Sequence, residues 1–225
     1  MMEASEKWKK QYPGAVVGVL VIRGAENPAG HPALDAQAAR IETELREKYS
    51  AAGKQALKAS PVIAAYESYY KVFRKTYHVT AQLESVIWKG RGIPSVSSMV
   101  KAMFMAELSN MLLTAGHDLG KVTLPLSLDI GSAGETYAAL GGAEKDVKEG
   151  DMRISDASGI ISSIIGGPDQ RTSISSQTRD LLFTVYAPPG IGEALVRSHL
   201  AEIERLVKMA APRAVAEPVE TCSAE

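Results

Sequence analysis

Lys121-Val-Thr-Leu-Pro-Leu-Ser-Leu-Asp-Ile130 opens the half of the chain that decides the fold. Apolar and polar residues alternate from Val122 to Ile130, the period of a strand with one buried face. A glycine-containing corner, Gly131 to Gly134, leads into a second candidate strand, Glu135 to Leu140. Met152 to Ser155, Ile160 to Ile165 and Leu181 to Ala187 continue the series, separated by Gly, Asp and Pro. Pro188-Pro-Gly190 breaks it. Val196, Leu200, Ile203 and Val207 then recur at helical spacing and mark a closing amphipathic helix.

Toward the N-terminus the texture is helical. Ala15 to Ile22 is short, apolar and β-branched, which reads as one buried strand, and Asn27-Pro-Ala-Gly30 turns the chain. Leu34, Ala38, Ile41, Leu45 and Tyr49 line one face of a helix from about Pro32 to Ser50. Ser60-Pro61 has the form of a cap and first-turn proline opening a helix toward Tyr70. Thr80 reads as the cap of a short helix through Trp88, ended by Gly90-Arg-Gly92, and Val100 to Leu113 as a mostly buried helix. One early strand, then helices, then clustered strands and a last helix is an α+β order, not a repeated βαβ one. Beyond Ala211 no period survives, so residues 212–225 are expected to be a disordered tail.

The chain has 225 residues, 45% hydrophobic and 23% charged, which suits one globular domain over 1–211 with a substantial core. The 25 basic and 26 acidic residues give a net charge of −1, so the strongly basic footprint of many nucleic-acid binders is absent. A local patch can still act inside a neutral total. Cys222 is the single cysteine, which leaves no internal disulfide or cysteine-based metal site. The first ten residues lack the apolar core of a secretory signal, and the apolar runs are too short to span a membrane. The expected location is cytoplasmic.

Few local motifs carry chemistry. Gly24-Ala-Glu-Asn-Pro-Ala-Gly30 matches neither the dinucleotide fingerprint nor the phosphate loop, so it reads as a structural turn. His31, His78, His117 and His199 show no metal-ligand spacing, and no metal or other cofactor is expected. His117 adjoins Asp118, but neighbours on a strand or helix point apart, so adjacency alone makes no catalytic pair. No Gly-x-Ser-x-Gly elbow is present. Tyr69, Tyr70, Phe73 and Tyr77 interleave Arg74 and Lys75, a mixture that suits stacking on single-stranded RNA. Solvated helix faces over buried tyrosines explain the same letters, and that reading is preferred.

The order of several motifs resembles the tRNA-binding and editing module of the phenylalanyl-tRNA synthetase β subunit. The residues are His117-Asp118-Leu119-Gly120-Lys121, the strand Val122 to Ile130, Gly134-Glu135 and Leu140-Gly141-Gly142. Ile154-Ser155-Asp156, Gly166-Gly167, Ser176-Gln177-Thr178 and Leu181 to Val185 follow in the same order. The match runs over about residues 71–187, with 12–60 as an N-terminal extension of a stand-alone relative and 190–211 as a C-terminal helix. The resemblance implies an α+β module that binds the acceptor end of tRNA and, in the synthetase, hydrolyses tyrosine misjoined to the phenylalanine tRNA. It places Glu135 at the family's substrate-contacting glutamate, Ser155 and Ala157 along the pocket strand, and Gly166 and Gly167 beside the pocket. His117 enters as a second catalytic candidate. The module's catalytic neighbourhood differs here, with Ala115 at a family histidine and Lys101-Ala-Met-Phe104 at a stretch carrying an acid and an amide. The expectation is a free-standing hydrolase of mischarged aminoacyl-tRNA, with tRNA or aminoacyl-tRNA as partner. The alternative is a non-catalytic binding module for an RNA end or a free amino acid.

Overall fold

The computed structural model describes residues 2–224. Its first half runs β1 (Met2–Ala4), α1 (Glu6–Gln11), β2 (Val16–Arg23), α2 (Pro32–Tyr49), α3 (Gly53–Lys58), α4 (Pro61–Val72), α5 (His78–Lys89) and α6 (Ser98–Asn110). The second is strand-rich: β3 (Thr114–Asp118), β4 (Leu126–Ile130), β5 (Thr136–Ala138), β6 (Glu144–Asp146), β7 (Met152–Asp156), β8 (Gly159–Ser163), β9 (Gly167–Pro168) and β10 (Leu181–Ala187). Helix α7 (Glu193–Ala210) and two short strands, β11 (Val215–Ala216) and β12 (Glu220–Ser223), complete it. The fold is α+β, with helices first and strands second.

Two sheets organise the core. One has the order β1-β4-β7-β8-β9, and the other β11-β2-β10-β3, with β12 also paired to β2. Strand β2 lies antiparallel to β10 from Val16 opposite Ala187 to Ile22 opposite Leu181. Both strands are buried on both faces, which is why they read as unbroken apolar runs. Helix α7 crosses β2 so closely that a Cβ on Gly18 would lie 2.4 Å from Val196 Cγ1. The segment expected as an extension therefore supplies a central strand.

The tail departs from expectation. Residues 212–225 were expected to be disordered, yet β11 pairs with Arg23 and Ile22, and β12 with Val19 through Val16. The physical reason is the edge of β2: an apolar strand with a row of unpaired amides and carbonyls needs a cover. Two segments of 2 and 4 residues provide it. Pieces so short carry no hydrophobic period of their own.

Helix boundaries follow local chemistry. Pro32 begins α2 behind His31, whose Nδ1 accepts the Ala33 amide hydrogen. Gly90 closes α5 in the left-handed region at φ 65°, its N–H donating to Ser85 O. Thr80 is not a cap, because α5 already begins at His78 and buries it; nor does the Ser60 side chain cap α4. Helix α6 stops at Asn110, short of the expected Leu113, because Met111 turns left-handed at φ 63°. The Met111 carbonyl then accepts the Tyr77 hydroxyl at 2.9 Å.

Candidate functional site

The tyrosines of α4 and the following loop form an internal cluster. Tyr66 and Tyr77 stack with ring centroids 4.3 Å apart, and Tyr70 lies 5.2 Å from Tyr77. Their hydroxyls face inward: Tyr70 donates to Ile164 O, Tyr69 to the Asp151 carboxylate, and Tyr66 to Tyr186 O while accepting the Leu113 amide. Buried rings with satisfied hydroxyls are core, not a stacking platform for bases.

Beside this cluster a cavity of about 500 Å³ opens between α5, α6, the start of β3 and the segment Ser163–Pro168. That volume falls within the roughly 300–1,000 Å³ of small-molecule sites. Helix α6 presents Val100, Met103, Phe104 and Glu107 to it, positions i, i+3, i+4 and i+7 of one face. Ile164, Ile165 and Ile174 complete the apolar walls, and Lys145 joins the lining from the β5–β6 hairpin. Val96, 72% exposed, and Leu140, 59% exposed, mark an apolar rim.

Glu107 is the unusual group. It is 1% exposed, and its Oε2 accepts the Thr114 amide at 2.9 Å. Its Oε1 is buried without a partner, as is Oε1 of Gln82, which also lines the cavity. Burial pushes the Glu107 carboxyl up to about 8, opposed only by the Thr114 hydrogen bond, and no basic side chain pulls it down. His78, at the same cavity, is lowered by burial, with Nδ1 3.3 Å from the Tyr70 hydroxyl.

The residues singled out in the sequence divide. Gly166 and Gly167 line the cavity; Glu135, His117, Ser155 and Ala157 do not. Glu135 is clasped by Arg153, with Nη2 to Oε1 at 2.8 Å and Nε to Oε2 at 3.0 Å, and Oε2 also accepts the Ser132 amide. Ser155 accepts from the same Arg153 at 2.7 Å, and Ala157 sits in an exposed turn. His117 is fully buried, its Nδ1 2.7 Å from Thr172 Oγ1, and burial drives its pKa down to about 3. It is neutral at physiological pH. Asp118 turns away to accept the Thr178 hydroxyl, so the neighbouring imidazole and acid do not pair.

The double glycine has structural causes as well as its position. A Cβ on Gly166 would come within 2.1 Å of the Tyr137 hydroxyl, and Gly167 adopts φ +81°. The Gly166 N–H donates to Ser163 Oγ, and the Gly166 and Gly167 carbonyls accept from Lys145 and Tyr137. The Gly166 amide is therefore already engaged and not free to hold an oxyanion. Among the described residues no group of three His, Cys, Asp or Glu is placed to hold a metal ion, and no helix is long and apolar enough to cross a membrane.

Glu107 escaped the sequence reading because α6 reads as a core helix. The available signal was its place in the i, i+3, i+4, i+7 set: one acid completing an apolar face.

No family model matches the chain, and no curated protein matches its sequence. Among solved structures, the chain is similar to an N-terminal fragment of the phenylalanyl-tRNA synthetase β subunit from Pyrococcus horikoshii. The TM-score is 0.50 at 12% identity, over 97% of this chain and 54% of that one. This chain thus spans about half the length of the fragment it matches. At that identity the similarity is one of fold. The chain has an α+β architecture like that of the synthetase fragment.

Proposed function

We propose that the cavity receives the aminoacyl group at the 3′ end of a charged tRNA and that the protein hydrolyses the ester joining them. The observation that carries this reading is a roomy, largely apolar cavity bounded by Gly166 and Gly167, with one buried acid at its wall. The fold shared with the synthetase fragment supports it by analogy. In the reaction, water oxygen bonds to the carbonyl carbon and the bond from that carbon to the ribose oxygen breaks. The water proton passes to the ribose, leaving a free amino acid and an RNA hydroxyl. An aminoacyl ester is already activated, so holding it against a positioned water supplies much of what the reaction needs.

A second reading, binding of a free amino acid without hydrolysis, draws on the placement of the two expected catalytic groups. The Glu135 carboxylate is committed to Arg153, and neutral His117 is sealed in the core outside the cavity lining. Incubation with a panel of mischarged tRNAs separates the two. Loss of the aminoacyl group well above the buffer rate is the expected result, and a rate equal to buffer for every tRNA overturns hydrolysis. Binding of labelled tRNA over a salt series adds an independent check, because phosphate contact weakens steeply with salt.

A further inference from the structure

We propose that Glu107 is an ammonium-binding residue: its carboxylate receives the α-amino group of a hydrophobic amino acid or aminoacyl ester whose side chain lies against the apolar cavity walls. The inference deepens the aminoacyl reading and rests on it. It begins with an imbalance inside the cavity. Glu107 and Gln82 both line the cavity, and the Oε1 atom of each is buried without a hydrogen-bond partner. The nearby polar groups are engaged with one another: Lys145 with the Gly166 carbonyl, Ser163 Oγ with the Gly166 amide, Thr114 Oγ1 with His199, and His78 with Tyr70. Lys145, the cation of the lining, is exposed and turned to the Gly166 carbonyl, so what the Glu107 end of the cavity lacks is a positive charge.

A buried carboxylate without a cation is costly, so Glu107 stays protonated until a cation binds, and a buried acceptor without a hydrogen is costly again. A primary ammonium answers both, because it donates to more than one oxygen and carries the missing charge. The rest of the ligand follows from the same helix face. Val100, Met103 and Phe104 lie one helical turn or two from Glu107, so a group anchored at the acid extends its apolar part along them. The charge sits on the ligand's amine and not on its carboxyl end, which is consistent with an ester or amide in place of a free carboxylate. No acid other than Glu107 lines the cavity among the described residues, so the assignment falls on one side chain.

The test uses the primary amides of leucine, methionine and phenylalanine, which keep the α-ammonium and do not hydrolyse readily. Their des-amino counterparts serve as controls. Calorimetric titration of the full chain should show saturable binding of at least one amino amide. The matching des-amino amide should bind at least about tenfold more weakly. E107Q should lose about tenfold or more, with Q82L losing less; a cooperative melt certifies each variant as folded. Equal affinity for an amino amide and its des-amino partner overturns the proposal. So does unchanged affinity in folded E107Q, and so does no binding of any amide. The outcome is separable from that of the hydrolysis assay. Binding that needs Glu107 without deacylation keeps this inference and removes hydrolysis, whereas deacylation unaffected by E107Q does the reverse.

Discussion

Replacing Glu107 by glutamine keeps the side chain's size and an oxygen for the Thr114 amide while removing the ionisable proton. Burial holds the carboxyl at about 8 in the folded protein against an ordinary 4.5. Between those values the folded state binds more protons than the unfolded one, so stability falls as pH rises through the window. The slope is about 1.4 kcal/mol per pH unit, which accumulates to about 4 kcal/mol between the ordinary value and pH 7.5. E107Q has no proton to lose. It should match the wild type in acid and exceed it by about 4 kcal/mol near pH 7.5. Every other titrating group contributes to both proteins alike and drops out of the comparison. Urea unfolding at several pH values reads this as a midpoint difference that opens with pH to about 1–2 M, at an unchanged slope. Parallel midpoints across the window would refute the reasoning, since they would mean that the Glu107 carboxylate is solvated or paired in the folded chain. A stabilising substitution that weakens amine binding is the trade expected when a site keeps an ionisable acid in a core that disfavours its charged form.

Further outcomes follow from the same contacts. Gly18→Ala sets a Cβ 2.4 Å from Val196 Cγ1 and 2.9 Å from Leu200 Cδ1, so α7 must withdraw at about 1–3 kcal/mol, read as a lowered melting temperature. An unchanged melt would deny the close helix–strand contact. Tyr66→Phe strands the Leu113 amide and the Tyr186 carbonyl in the core, and thermal unfolding should show a loss of about 1–3 kcal/mol. Glu135→Gln breaks the Arg153 clasp and should destabilise by roughly 1–3 kcal/mol, yet leave amino-amide affinity unchanged. A collapse of affinity in that variant would bring Glu135 into the binding site. Removing residues 212–225 uncovers the edge of β2, and hydrogen exchange at Val17 and Val19 should accelerate; unchanged protection would deny the pairing.

The fold was legible where periodicity is strong. Val16–Arg23 and Leu181–Ala187 announce themselves as doubly buried strands, and α2 and α7 through one apolar face each. Less was legible where structure depends on partners distant in sequence. Thr114-Ala-Gly-His-Asp118 has no alternation and Thr114 as its one strand former, and becomes β3 by pairing with β10. The tail is ordered by the β2 edge, a property of residues about two hundred positions earlier. The site was legible in part for the same reason. The double glycine could be located from motif order and does bound the cavity. Glu135, exposed to sequence reasoning as a corner acid, has its chemistry fixed by Arg153, 18 residues on. Glu107 needed three-dimensional packing to show that its helix face opens onto a cavity and not onto another apolar layer.

The most direct measurement is a crystal structure of the protein soaked with an amide-linked 3′-aminoacylamino-adenosine, a stable stand-in for the charged tRNA end. The account predicts the aminoacyl side chain against Met103 and Phe104, its ammonium at Glu107, and the ribose toward Gly166 and Gly167. An empty cavity at saturating ligand, or the aminoacyl group lodged elsewhere on the protein, would contradict it.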